Sequence, residues 1–273
     1  MNNLDINTDL AAEIIIRFIQ NKTTQAGFSR AVIGVSGGVD SALSCFLAAR
    51  ALGGENVLAV RMPYRTSSQA SLDHAQLVID KTGVQSMTIP ISDIADGLIN
   101  QFPDMSKVRQ GNIMARSRMI VLYDRSAAFN GLVVGTGNKT EILLGYTTVY
   151  GDSACAFNPI GDLYKAQVRQ LSRALGVPDV IVDKAPTADL WAGQTDEGEF
   201  GFTYAEADQL LYLLIDERYT PGKCIQAGFD KNFMETVVKR IQRSHFKRAM
   251  PPIAKVTSST ISYDFPHLRD WDT

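Results

Sequence analysis

The chain has little of what marks the specialised protein classes. Cysteine occurs three times, as Cys45, Cys155 and Cys224, far apart and odd in number. That argues against a disulfide framework or a zinc site and fits reduced thiols of a cytoplasmic protein. Histidine also occurs three times, and His74, His245 and His267 form no constellation. No Ser–His–Asp or Cys–His nucleophile pattern stands out. Neither sign of charge dominates, with 27 Lys plus Arg against 29 Asp plus Glu and a formal net charge of −2. A nucleic-acid partner held by a strongly basic surface is therefore not expected. No apolar run approaches the roughly 20 residues of a membrane span, so no membrane partner is expected. Asp5, Asp9 and Glu13 precede any apolar run, which is not the pattern of a signal peptide. Repeats and low-complexity tracts are missing. So are G-x-x-x-x-G-K-[ST] and G-x-G-x-x-G, which sets aside the common P-loop NTPases and disfavours a dinucleotide-binding Rossmann site.

What is there is an ordinary globular composition, 45% apolar and 21% charged over 273 residues. Leu10, Ala11, Ile14, Ile15 and Phe18 recur at helical spacing. Short apolar runs then alternate with helical patterns. The runs are 31–35, 57–62, 86–90, 132–135 and Val180-Ile181-Val182; the helical patterns are 41–52, 67–82, 92–101, 111–129 and 165–175. This order predicts an α/β fold, a doubly wound, mostly parallel five-stranded sheet with helices on both faces. The regular alternation ends near residue 182. We expect a single domain with a core over about 25–185, a lid loop over about 187–201 and a helical C-terminal extension over about 202–273, with helices at 203–218 and 230–245.

The most informative segment is Ser36-Gly37-Gly38-Val39-Asp40-Ser41, placed between the first buried run and a helix. Open α/β sheets bind ligands at such a place. Paired glycines let the backbone approach a bulky anion, and the free N–H groups of the helix start favour phosphate. A carboxylate at Asp40 would repel phosphate unless a bridging divalent cation intervened, so the loop itself argues for Mg²⁺.

S-G-G-x-D-S after a first buried strand resembles the pyrophosphatase-loop ATP hydrolases, which cleave ATP between the α- and β-phosphates. Four further stretches resemble NAD synthetases in particular. They are Gly111-Asn112-Ile113-Met114-Ala115-Arg116-Ser117-Arg118-Met119, Gly135-Thr136-Gly137-Asn138-Lys139-Thr140-Glu141, Tyr150-Gly151-Asp152, and Pro186-Thr187-Ala188-Asp189-Leu190 followed by Gln194-Thr195-Asp196-Glu197. The resemblance spans about residues 10–250.

The resemblance implies ATP-dependent amidation of deamido-NAD with ammonia through a carboxyl-adenylate, releasing AMP and pyrophosphate. It implies Asp40, Lys165 and Thr187 as catalytic residues, and Asp40, Glu141 and Thr187 as Mg²⁺ ligands. An ATP site would comprise Gly34, Val35, Ser36, Gly37, Gly38, Val39, Asp40, Ser41, Arg61, Arg116, Thr136, Lys165 and Thr187, with Lys165 the phosphate cation. The acceptor would meet Tyr146, Tyr150, Asp152, Lys247 and Arg248. Plainer readings stand beside these. Glu141 could be a loop charge, Lys165 a solvated helix residue and Thr187 a helix cap. Arg116 and Arg118 lie about 200° apart around one helix, so they cannot share a face.

The resemblance also implies a homodimer using free ammonia, or ammonia from a separate subunit, since no stretch is long enough for an ammonia-generating domain. Two features depart from the family. Ala156 stands where many members carry a second aspartate, and the tail 250–273 is longer than most. Amidation of nicotinate mononucleotide, a tRNA-modifying adenylyl enzyme and a non-catalytic nucleotide sensor therefore stay open as alternatives.

Overall fold

The computed structural model describes residues 4–187, 189, 191 and 195–261. Four strands form one parallel sheet: β1 (Ala31–Gly34), β2 (Val57–Arg61), β3 (Gln85–Thr88) and β4 (Leu132–Val134), in the order β3-β2-β1-β4. In the central pairing Ala31 stands opposite Val57 on one side and Leu132 on the other. β1 and β2 are covered on both faces and read as continuous apolar runs; β3, at the edge, exposes most of its side chains. Along the chain the helices are α1 (Thr8–Gln25), α2 (Val39–Leu52), α3 (Gln69–Thr82), α4 (Ser92–Ile99), α5 (Lys107–Phe129), α6 (Lys139–Leu144), α7 (Lys165–Leu175), α8 (Asp179–Val182), α9 (Asp196–Phe200), α10 (Tyr204–Leu211), α11 (Pro221–Gln226) and α12 (Lys231–Arg243). Among the described residues no helix is long and apolar enough to cross a membrane.

Two cores sandwich the sheet. One joins Ile15 and Ile19 of α1, Leu43 and Leu47 of α2, Val78 of α3 and Leu171 of α7 to Ile33. The other joins Ala95 of α4 and Met114 and Val121 of α5 to Val32, Leu58 and Val60. A third core holds the later helices: Leu144 of α6 and Tyr164 pack with Phe200, Leu210, Met234 and Val237. Helix starts follow the sequence closely. Asn7, Ser68, Ser106 and Asn138 each accept a backbone N–H of the first turn through the side chain.

The sheet has four strands where five were expected. Val180-Ile181-Val182 lies in α8, because Pro178 supplies an extended entry and the chain turns helical from Asp179. The place beside β4 is taken by a single bridge, Val134 to Phe157, with Ala156 N donating to Val133 O and Gly135 N to Phe157 O, both at 2.9 Å. The helix expected over 203–218 stops at Leu211 and widens into a π-turn over Tyr212–Asp216. Residues 188, 190 and 192–194 of the expected lid, and His267, Asp270 and Trp271 of the tail, lie outside the described residues.

Candidate active site

β1 ends at Gly34, and the chain crosses the carboxyl edge of the sheet before α2 begins at Val39. Gly37 takes φ +79°, and a Cβ there would stand 2.2 Å from Ser71 O of α3. The loop needs glycine for both reasons. Its hydroxyls tie it together: Ser41 Oγ donates to Gly38 O at 3.0 Å, and Gly38 N donates to Ser36 Oγ at 3.3 Å. Gly34, Val35, Ser36, Gly38, Val39, Asp40 and Ser41 line a cavity of about 480 Å³; Gly37 faces α3 behind it.

A lysine–carboxylate cluster sits beside the loop. Lys165 opens α7 and is 3% exposed. Its Nζ donates to Asp40 Oδ2 at 2.6 Å and to Glu141 Oε1 at 3.0 Å. Asn138 holds the other Asp40 oxygen through Nδ2 at 2.8 Å. Asn138 and Glu141 form a capping box at the start of α6, so the cap that starts this helix also aims its carboxylate. Burial pushes the Glu141 carboxyl up to about 7, against the opposing pull of Lys165. Burial alone would lower the Lys165 ammonium; Asp40 and Glu141 outweigh it and push the group up. Lys165 therefore stays protonated.

Behind the cluster lie residues that sequence reasoning missed. Tyr204 is 1% exposed, and its ring lies 4.9 Å from the Lys165 ammonium. Its hydroxyl reaches Asp196 Oδ2 at 3.0 Å and Glu141 Oε1 at 3.4 Å. Asp208, one turn further along α10, accepts from Thr140 Oγ1 at 2.5 Å and from Ala166 N at 2.7 Å. Lys165 N donates in turn to Thr140 Oγ1 at 3.0 Å. One face of α10 thus fixes the starts of α6 and α7, the two helices that carry Glu141 and Lys165. The signal was an aromatic and a carboxylate four apart on the apolar face of a predicted helix.

The other predicted residues divide between the cavity and its surroundings. Arg61, Thr136, Tyr146, Asp152, Thr187 and Lys247 line the cavity. Arg61 donates to Gln76 Oε1 at 2.5 Å, while its Nε is buried with no partner. Tyr146 donates to Asp196 Oδ1 at 3.0 Å, and Asp152 accepts from Thr147 Oγ1 at 2.6 Å. Lys247 donates to Gly145 O and Thr147 O, both at 2.7 Å. Burial lowers the Lys247 ammonium. Arg116, Tyr150 and Arg248 do not line this cavity. Arg116 sits on the far side of α5, donating to Val149 O at 3.3 Å and edging a shallow groove with Leu98 and Phe102. Arg118 takes the inward place, with Nε donating to Met62 O at 3.1 Å. Tyr150 is 59% exposed. Arg248 donates to Ile142 O and Leu143 O of α6 and to Ile241 O of α12, binding two helix ends together. Ala156, the family departure, is outside the cavity lining and belongs to the bridge beside β4.

The donor set bears on a metal. Among the described residues no group of three or more His, Cys, Asp or Glu side chains is placed to hold an ion. Asp40 and Glu141 offer two hard carboxylates in one cavity, within reach of one ammonium. That fits Mg²⁺, which takes one or two carboxylates and completes its shell with water and phosphate oxygens.

A glycine-rich anion loop at the carboxyl edge of a parallel sheet, with a buried lysine–carboxylate cluster beside it, defines an α/β protein of the phosphate-binding type. The chain belongs to the NAD synthase family, whose pattern it matches over residues 11–251. It is 53% identical over 271 residues to a Trichlorobacter lovleyi protein named NH(3)-dependent NAD(+) synthetase, covering 99% of each chain. A Chlorobaculum tepidum protein of the same name is 50% identical over 269 residues, 98% of this chain and 97% of its own. Among solved structures, the NH3-dependent NAD synthetase of Campylobacter jejuni superposes with a TM-score of 0.79 at 35% identity, covering 92% of this chain and 100% of that one. The NMN synthetase of Francisella tularensis superposes with a TM-score of 0.81 at 30% identity, covering 92% and 99%.

Proposed function

We propose that the chain makes NAD by amidating deamido-NAD with ammonia, consuming ATP and releasing AMP and pyrophosphate. The observation that carries this reading is one cavity that brings together the Ser36–Ser41 loop, the Lys165 cluster and the wall of Tyr146, Asp152 and Lys247. It has room for a triphosphate on one side and an acceptor on the other. Identity of 53% and 50% to proteins named for this reaction, against 30% to one named for NMN synthesis, favours the dinucleotide acceptor.

A carboxylate is a poor electrophile, and transfer of AMP to one of its oxygens creates a leaving group. An acceptor carboxylate oxygen bonds to the α-phosphorus as the α–β P–O bond breaks and pyrophosphate leaves. Ammonia then attacks the carbonyl carbon, loses a proton and expels AMP. Such transfers are served by positioning and charge stabilisation. The loop N–H groups and Ser36 and Ser41 would bind phosphate oxygens, with Thr136 and Arg61 on the nucleotide. Lys165, held rigid by Asp40 and Glu141, would offer a fixed cation beside the transferred group. Thr187 would hold phosphate from the opposite wall, and Tyr146, Asp152 and Lys247 would meet the acceptor. Asp40 and Glu141, with Thr187, would hold Mg²⁺, which neutralises phosphate charge when bound.

We place the chain in the cytoplasm as a homodimer, using free ammonia or ammonia from a separate subunit. Exposed Leu98, Phe102, Val108, Ile120 and Tyr123 on α4, α5 and their connection support a partner surface there. The test of the function is an acceptor screen with ammonium, ATP and Mg²⁺, read by mass spectrometry. NAD formed from deamido-NAD with stoichiometric AMP is the expected result; a larger kcat/KM for the mononucleotide sinks the dinucleotide assignment.

A further inference from the structure

We infer that Lys184 is a second phosphate-binding cation of this cavity, serving the pyrophosphate end of the nucleotide; the inference rests on the ATP-dependent reading above. It begins from charge balance. Lys165 is flanked by Asp40 at 2.6 Å and Glu141 at 3.0 Å, so its charge is already matched. One cation between two carboxylates leaves the cluster net negative, and a divalent ion turns that into a single positive charge. A polyphosphate carries several negative charges, so another cation is needed on the loop side.

Lys184 has the place and the freedom for it. It lies between α8 and Pro186 and lines the same cavity as Ser36, Gly38 and Ser41. Its Nζ donates to Ser71 Oγ at 2.9 Å. Ser71 belongs to the first turn of α3, the turn that backs Gly37. The ammonium is thus tethered behind the phosphate loop by a neutral hydroxyl. Among the described residues no carboxylate pairs with it within 4.0 Å, although Lys184 is partly buried. A partly buried ammonium without a counter-ion gains when an anion arrives. The other cations of the cavity are engaged elsewhere. Arg61 donates to Gln76, Arg118 to Met62 O, and Lys247 to two carbonyls on the acceptor wall.

The test is calorimetric binding of inorganic pyrophosphate with Mg²⁺, and separately of AMP, to the full chain and to Lys184→Met, Lys184→Arg and Ser71→Ala. Loss of one charge-assisted phosphate contact predicts pyrophosphate affinity at least ~10-fold weaker in Lys184→Met, with AMP affinity within ~2-fold. Lys184→Arg, which keeps the charge, restores most of it. Ser71→Ala, which frees the tether, weakens pyrophosphate alone by a smaller factor of ~2–5. Equal losses for AMP and pyrophosphate, or no loss for pyrophosphate, overturn the inference. If Lys184→Met does not fold, Ser71→Ala and Lys184→Arg decide it: unchanged pyrophosphate affinity in Ser71→Ala counts against Lys184. Turnover of the unsubstituted chain with ATP, ammonia and deamido-NAD is measured alongside. No turnover refutes the proposed function, whereas normal turnover with unaltered pyrophosphate binding in the variants refutes only the role of Lys184.

Discussion

The ammonium of Lys165 lies 2.6 Å from the carboxylate of Asp40, across 125 positions of sequence. The contact joins the start of α7 to the start of α2, and Glu141 from α6 completes it. Three helix starts converge on one cation. That convergence makes the cluster sensitive to the loss of any member.

Lys165→Met leaves two carboxylates facing each other in a largely closed site. Breaking a buried pair in this way costs about 3 kcal/mol of stability. Amidation falls by at least ~100-fold, as expected when a fixed charge beside the transferred group is lost. Urea unfolding and steady-state rates check both. Unchanged stability would show that the carboxylates are solvated instead.

Gly37→Ala fails on two grounds. The backbone stands at φ +79°, and the added carbon would meet Ser71 O at 2.2 Å. Shifting α3 away from the loop costs about 1–3 kcal/mol. KM for ATP rises more than KM for the acceptor. Gly38→Ala, whose Cβ would meet only Ser36 Oγ at 3.5 Å, is milder in thermal melts and in ATP binding.

The Glu141 carboxyl, pushed up to about 7 by burial, is half protonated near neutrality. A metal needs it ionised, so metal–nucleotide binding releases a proton around and below that pH. The apparent Mg²⁺ requirement therefore rises as pH falls below about 7 and levels off above it. Mg²⁺ titrations of the rate at about pH 6 and about pH 8 measure this. A flat response means Glu141 is not a ligand. Glu141→Gln removes the dependence.

Asp208→Asn keeps the shape of a side chain that touches no part of the cavity. It loses the charge that accepts from Thr140 and Ala166 N. Charge-assisted bonds of this kind contribute about 1.5–3 kcal/mol each. The starts of α6 and α7 loosen, and kcat drops ~10-fold or more with little change in KM for ATP. Thr140→Val gives the same phenotype, and the double variant is no worse than either alone. Additive losses would place the two residues in separate roles.

Much of this was legible beforehand. The strand–loop–helix at 31–52 was clear because a β-branched buried run, two glycines and a capped helix all point the same way. The family resemblance brought Asp40, Glu141 and Lys165 forward, but not their mutual contact, which depends on packing across the sheet. Tyr204 and Asp208 stayed hidden because an aromatic on an apolar helix face looks like core, and a carboxylate looks solvated. Arg116 and Arg118 could be told apart as inward and outward only once the roll of α5 about its axis was known. Val180–Val182 has strand composition, yet Pro178 and the short span before Lys184 make it a helical turn.

α2 is enclosed for most of its length, with residues from Val39 to Ala48 buried nearly without interruption. Such a helix has no room to tilt, so the seat at its mouth is moulded before any guest arrives. Little ordering free energy is then spent at that end of the molecule on arrival. Adjustment on binding should therefore concentrate in the opposite wall, where Thr187 and Asp196 lie, and differences in grip between related acceptors should arise there.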